Sequence, residues 1–240
     1  MEAVVVGRGW VGTKLGALMG LPVLSHTEIF KEYRNFDTVI NCAGRTGVPT
    51  VDECEEHKAE TITANTIFPM ELFSRCYGRR LVHFSSGCIY QGGPWKAQDT
   101  PNYDASIYSA SKLVSDQFLK DKALVLRIRM PFCAGDHPKN LLTKLRKYAE
   151  TGRLLDGYNS LSDVDEMIMH AANLITDRKV GPCNLVNTGA IWTHELAEMM
   201  GLTPQWFKFG EFTKPRSECR LIPSVVTRPV REALEKALNS

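Results

Sequence analysis

A tyrosine and a lysine stand four positions apart in Tyr108-Ser109-Ala110-Ser111-Lys112. On a helix they share one face, one turn apart. A phenol ionises near pH ~10, so it needs help to move protons at neutral pH. A neighbouring ammonium favours the phenolate and supplies that help. The pair follows Arg80-Leu81-Val82-His83-Phe84-Ser85-Ser86, which reads as a buried strand ending in two hydroxyls, and precedes a second apolar strand, Ala123 to Arg129. Cys88 sits just past Ser86, at a strand end expected to face a ligand. Its thiol, with a reference pKa of ~8.5, can act as base or acid if neighbours tune it. It can equally be an inert buried side chain.

A second pattern opens the chain. Ala3-Val4-Val5-Val6 reads as a strand, Gly7-Arg8-Gly9-Trp10-Val11-Gly12 follows at once, and Thr13 to Met19 reads as a helix. Strand, G-x-G-x-x-G and helix in that order form the fingerprint of a dinucleotide site. Its glycines allow a tight turn, close approach to a pyrophosphate and close helix packing. The expected cofactor ligands are Gly7, Arg8, Gly9, Trp10, Val11, Gly12, Ser25 and Ala43, with Tyr108 and Lys112 at the reacting end. An acidic residue at the end of the second strand would grip the ribose of NAD. Here Ser25, His26 and Thr27 come first and Glu28 arrives late. Arg8 offers a cation to a 2′-phosphate. NADPH is therefore the expected cofactor, with NADH the alternative.

Further elements must position these groups. Short strands are expected at 22–24 and 36–43, a mostly helical stretch at 51–76 bent near Pro69, and a helix at 108–120. Beyond Pro131 come a basic helix at 140–148, a helix at 163–175, a strand at 184–187 and a largely irregular end with a helix at 230–238. Alternating strands and helices predict an α/β fold: a doubly wound (Rossmann) parallel sheet with a small C-terminal substrate-binding cap. Residues 1–134 and about 163–197 are assigned to the dinucleotide-binding domain. About 135–162 and 198–240 are assigned to the substrate-binding region.

The 240 residues carry 29 Lys+Arg against 27 Asp+Glu. That balance gives no electrostatic case for nucleic acid. No apolar run approaches the ~20 residues of a membrane span. Seven cysteines, an odd number with no C-x-x-C pair, argue against a disulfide framework or a metal site and for a cytoplasmic protein with reduced thiols.

Together, the glycine loop, Asp37-x-Val39-Ile40-Asn41-x-Ala43, Asn65, Ser85-Ser86 and Tyr108-x-x-x-Lys112 resemble the extended short-chain dehydrogenase/reductases. That resemblance implies Tyr108 as acid, Lys112 as its pKa modifier and ribose ligand, and Ser86 as the hydroxyl orienting the substrate oxygen. Val51 to Lys58, Gly87-Cys88-Ile89-Tyr90, Leu126 to Pro131, Pro138 to Lys144 and Pro215-Arg216-Ser217 narrow it. The first four are similar to the bifunctional nucleotide-4-keto-6-deoxyglucose 3,5-epimerase/4-reductases of rhamnose synthesis, and Pro215-Arg216-Ser217 to a substrate-binding stretch of the related dTDP-4-dehydrorhamnose reductases. This implies a nucleotide-sugar substrate, UDP-linked with dTDP-linked as the alternative, with Cys88 and Lys144 in epimerisation and Ser86, Cys88, Arg129, Asn140 and Arg216 at the substrate. Two rival readings remain: a 4-reductase alone, and an NAD(P)-sensing protein without turnover. A homodimer is compatible with either enzymatic reading.

Overall fold

The computed structural model describes residues 2–48, 50–208 and 211–240. Its centre is a six-stranded parallel sheet: β1 Ala3–Val6, β2 Val23–Leu24, β3 Thr38–Asn41, β4 Arg80–Ser86, β5 Leu124–Ile128 and β6 Gly181–Asn184, in the order β6-β5-β4-β3-β1-β2. The central strands carry apolar runs directed to both faces because both faces are covered. Val5, Ile40, Val82 and Leu124 face α1 (Trp10–Met19) and a later helix, Val164–Thr176. Val4, Val39, Leu81 and Val125 face the opposite layer, built from Phe68–Arg75 and Ile107–Leu119. Because β1 lies between β2 and β3, the chain reverses direction across the sheet at its carboxyl end, where ligands of such sheets bind.

The stretch expected as one bent helix is segmented. Glu53–Glu56 and Lys58–Ile62 lead into a π-helical turn, Thr63–Ile67, and then Phe68–Arg75. The wide turn immediately precedes Pro69, which has no N–H to donate to the carbonyl four residues back, so the ladder shifts there. The last strand also differs from expectation, occupying 181–184 rather than 184–187. Pro182 disguised it, but β6 is an edge strand, where proline is tolerated. Leu185 and Val186, which suggested a strand, are buried just beyond the ladder.

A second core, including Phe132, Leu142, Leu145, Leu196 and Leu234, joins Leu141–Thr151, an unanticipated helix Thr193–Met199, and Val230–Leu238. The end of the chain is also less irregular than expected, since Cys219–Leu221 pairs in parallel with Gly92–Trp95. Among the described residues no helix is long and apolar enough to cross a membrane.

Beneath the sheet's carboxyl end lies an ion pair almost without solvent. Arg127 of β5 donates to both carboxylate oxygens of Asp116 at 2.6 and 2.9 Å, and the side chains are 1% and 0% exposed. The Ser85 hydroxyl donates to the same carboxylate at 2.7 Å, and Arg127 also donates to the Tyr90 hydroxyl and the Ala97 carbonyl. Removing one partner of such a pair strands a buried charge. Arg127→Met should therefore lower unfolding stability by ~3–5 kcal/mol in urea titration, and adding Asp116→Leu should recover most of that. A single-variant loss below ~1 kcal/mol would show that the pair is not a structural clamp.

Candidate active site

The strand ends open into a cleft of about 1640 Å³ that runs from the glycine loop to the C-terminal segment. Gly7 has φ +109°, and a Cβ there would lie 2.7 Å from the Ala43 nitrogen. A Cβ on Gly12 would strike the Gly7 carbonyl oxygen. A Cβ on Gly9 would meet nothing within 4 Å. Gly7 and Gly12 thus serve packing, while Gly9 leaves the space in front of α1 open. That helix begins at Trp10 with no side-chain cap and no acidic residue in its first turn, so its N–H groups are suited to an anion. Trp10 and Val11 line the cleft, and Trp10 stacks on His137 at 4.5 Å between centroids.

The second-strand end differs from the sequence reading in one respect. Ser25 and Glu28 form a reciprocal cap: the Ser25 N–H donates to the Glu28 carboxylate at 2.7 Å, and the Glu28 N–H donates to the Ser25 hydroxyl at 3.2 Å. This folds the late carboxylate back to the strand end, where it pairs with Arg8 at 2.7 Å. The Ser25 bonds, followed by Arg8, hold the Glu28 carboxyl below its ordinary pKa. Ser-x-x-Glu is a readable capping signal, and it was the clue to Glu28.

Ser86 ends β4 and caps the turn Gly87–Ile89, its hydroxyl accepting the Cys88 N–H at 3.1 Å. Tyr108 and Lys112 lie on the first two turns of Ile107–Leu119, both buried. Burial, then the nearby Cys88, pushes the Tyr108 phenol well above its usual pKa, and a hydrogen bond with Ser86 pulls the other way. Burial brings Lys112 down to about 8, with Asp116 one turn along the helix partly offsetting it. The Lys112 ammonium faces the Phe84 carbonyl at 3.4 Å, and a Cβ on Gly44 would lie 3.0 Å from it. Ser86 and Arg129 both pull the Tyr108 phenol down against that burial.

Cys88 lines the same cleft and accepts a hydrogen bond from Arg129 Nη1 at 2.7 Å. The other nitrogen, Nη2, is held by Asn159 Oδ1 at 2.5 Å and the Ser217 carbonyl at 2.6 Å. Lys144 also lines the cleft, its pKa lowered by burial and then by Lys139. Two expected substrate ligands already have partners within the protein. Asn140 is fully buried, capping the Leu142 N–H and donating to the Cys133 and Gly135 carbonyls. Arg216 grips both oxygens of Asp52, one at 2.5 Å, across 164 positions of sequence. Nothing in the spacing of Asp52 announced that partner.

Residues 23–158 match the model of the RmlD substrate binding domain family. The chain belongs to this family. It is 34% identical over 89% of its length to the Arabidopsis thaliana trifunctional UDP-glucose 4,6-dehydratase/UDP-4-keto-6-deoxy-D-glucose 3,5-epimerase/UDP-4-keto-L-rhamnose-reductase RHM1, spanning 36% of that protein. It is 30% identical over 80% of its length to the Arabidopsis thaliana bifunctional dTDP-4-dehydrorhamnose 3,5-epimerase/dTDP-4-dehydrorhamnose reductase, spanning 71% of it. In fold it matches the L780 UDP-rhamnose synthase of Acanthamoeba polyphaga mimivirus, with a TM-score of 0.84 at 21% identity over 99% of this chain and 98% of that one.

The glycine geometry separates two kinds of substitution. Gly12→Ala should lower stability by ~1–3 kcal/mol, the cost of overpacking a closed contact, whereas Gly9→Ala should leave the melting temperature within a degree or two of the parent. Equal losses in the two variants, measured by thermal unfolding, would contradict the division of roles.

Proposed function

We propose that the chain binds NADPH, with NADH as the alternative, and converts a nucleotide-4-keto-6-deoxyglucose, UDP-linked, to the nucleotide-L-rhamnose by 3,5-epimerisation and 4-reduction. The carrying observation is that Cys88, Lys144 and the Ser86–Tyr108–Lys112 group line one cleft. The open space at Gly9 and the uncapped start of α1 fit a pyrophosphate.

A 4-ketone makes the hydrogens on C3 and C5 acidic. Cys88 takes such a proton, its sulfur gaining the hydrogen as the C–H electron pair passes to the ketone oxygen. Ser86 and Tyr108 hold that oxygen while it carries charge, which lowers the barrier. Lys144, whose lowered pKa makes proton release easier, returns a proton to the carbon from the other face. The Gly7–Gly12 loop and the start of α1 would hold the dinucleotide, which would supply hydride for C4. Tyr108, kept protonated by burial, gives its proton to the C4 oxygen, and the two transfers together make the alcohol. Arg216, at the cleft rim, would exchange Asp52 for the substrate diphosphate, which suits a guanidinium fork.

Tyr108→Phe should cut NADPH-dependent reduction by about 10²–10⁴-fold, the typical worth of general acid catalysis, while sparing cofactor binding. Near-normal turnover would remove Tyr108 from that role. Cys88→Ser should abolish deuterium uptake at C3 and C5 in D₂O yet still reduce substrate supplied already epimerised. Normal uptake in Cys88→Ser would place the base elsewhere, and no uptake in the parent chain would leave the reductase reading alone.

The Arg8–Glu28 pair bears on the cofactor. Glu28 occupies the cation that a 2′-phosphate would use, and both side chains are substantially exposed. Glu28→Gln should therefore favour NADPH over NADH by a factor of up to ~5, the scale of an exposed ion pair. An unchanged ratio of dissociation constants would show that Arg8 does not meet the 2′-phosphate.

A further inference from the structure

The segment from Cys133 to Lys144 is knotted by its own side chains. Asn140 spans it from inside, accepting the Leu142 N–H at 3.1 Å and donating to the Cys133 and Gly135 carbonyls at 2.9 and 2.8 Å. The Thr143 hydroxyl accepts the His137 N–H at 3.3 Å and donates to Asp136 at 3.2 Å. His137 Nδ1 accepts the Lys139 N–H at 3.1 Å, and the Asn140 N–H donates to the His137 carbonyl at 2.8 Å. This local net fixes the backbone on both sides of Lys139 ahead of the helix Leu141–Thr151.

The bracket so formed is fastened across the cleft. The His137 ring lies flat on Trp10, with 4.5 Å between centroids and 13° between planes. Trp10 is the first residue of α1, beside the open space at Gly9. Lys139, half-buried and two positions from the stack, lines the same cleft. Burial first, and Lys139 next, lower the pKa of both His137 and Lys144, and Lys139 adds to the burial that lowers Lys112. No Asp or Glu forms an ion pair with Lys139 or Lys144 among the described residues. Like charges gathered in one cleft raise one another's energy, and a bound anion relieves that cost.

A diphosphate is the anion common to a dinucleotide and a nucleotide sugar. For Lys139 the position of the bracket favours the dinucleotide, because the stack sets it at the uncapped start of α1. The helix that follows leads away from there. Tyr148, two turns on, is raised chiefly by burial and also feels Arg216 and Asp52. Arg216 therefore serves the far end of the cleft and Lys139 the end at the glycine loop.

We propose that Lys139 is a ligand of the dinucleotide's pyrophosphate, presented from the cap side by a bracket that the Trp10–His137 stack holds at the glycine loop. The assignment rests on the dinucleotide reading and extends it. Arg8, the cation of the glycine loop itself, is already paired with Glu28. Lys139 supplies the missing charge, a task that suits an ammonium acting as a point charge.

The test is the dissociation constant of NADPH, measured by calorimetric titration without substrate, for the full chain, Lys139→Met, Lys139→Arg and Lys236→Met. Lys236 is exposed on Val230–Leu238 and controls for the loss of one charge. Lys139→Met should weaken NADPH binding by ~10–100-fold, the worth of a hydrogen bond to a charged group. Lys236→Met should stay within ~2-fold of the parent, since salt screens distant charge. Lys139→Arg should keep most of the affinity. UDP, and adenosine 2′-monophosphate, which has no pyrophosphate, should bind the parent and Lys139→Met alike. Unchanged NADPH affinity in Lys139→Met overturns the proposal, and so does an equal loss for either of the other two ligands. A loss confined to UDP moves the lysine to the substrate's diphosphate and overturns it as well. A parent chain that binds no NADPH rejects the dinucleotide reading itself, whereas a parent that binds it and a variant that binds equally reject the lysine alone.

Discussion

The placement of the reacting groups depends on the buried pair between Arg127 and Asp116. Asp116 lies one turn beyond Lys112 on the helix that also carries Tyr108, and Arg127 lies on the strand beside β4. The hydroxyl of Ser85, adjacent to Ser86, completes the junction. One carboxylate thus ties the Tyr–Lys helix to the strand end that bears Ser86. An apolar replacement of the whole pair could be as stable, since desolvation offsets much of the attraction. What the charges add is register: a one-turn slip of the helix would strand both of them.

The same burial that locks this geometry sorts the proton-carrying groups. A phenol deprived of water stays protonated, which an acid requires, and a buried ammonium loses part of its hold on its proton. Lys112 falls to about 8 and remains a cation at neutral pH because Asp116 answers it. His83, buried on β4 with Asn41 as its side-chain partner among the described residues, is driven well below its usual value by burial and then by Lys112, and so stays neutral.

Local patterns made much of this legible. Apolar runs marked the central strands, the glycine spacing marked the β1–α1 turn, and Tyr-x-x-x-Lys marked the helix face. The readings that changed depended on contacts distant in sequence or on short-range chemistry hidden under another signal. Arg8 looked free because Glu28 is twenty positions away, although its Ser-x-x-Glu cap was visible. Asn140 looked like a ligand because a helix cap and a substrate contact use the same amide. Asp52 and Arg216 meet only because the C-terminal segment folds back over the cleft. β6 was displaced because Leu185 and Val186 are apolar for packing rather than for pairing.

The central claim is that one cleft in one chain performs both epimerisation and reduction. The most direct measurement is the identity of the sugar formed when the purified chain alone receives UDP-4-keto-6-deoxyglucose and NADPH, read by proton NMR coupling constants. UDP-L-rhamnose as the product, with one NADPH consumed per sugar, is the predicted result. A 6-deoxy-D-sugar as the product, or no NADPH consumption until a separate epimerase is added, would contradict it.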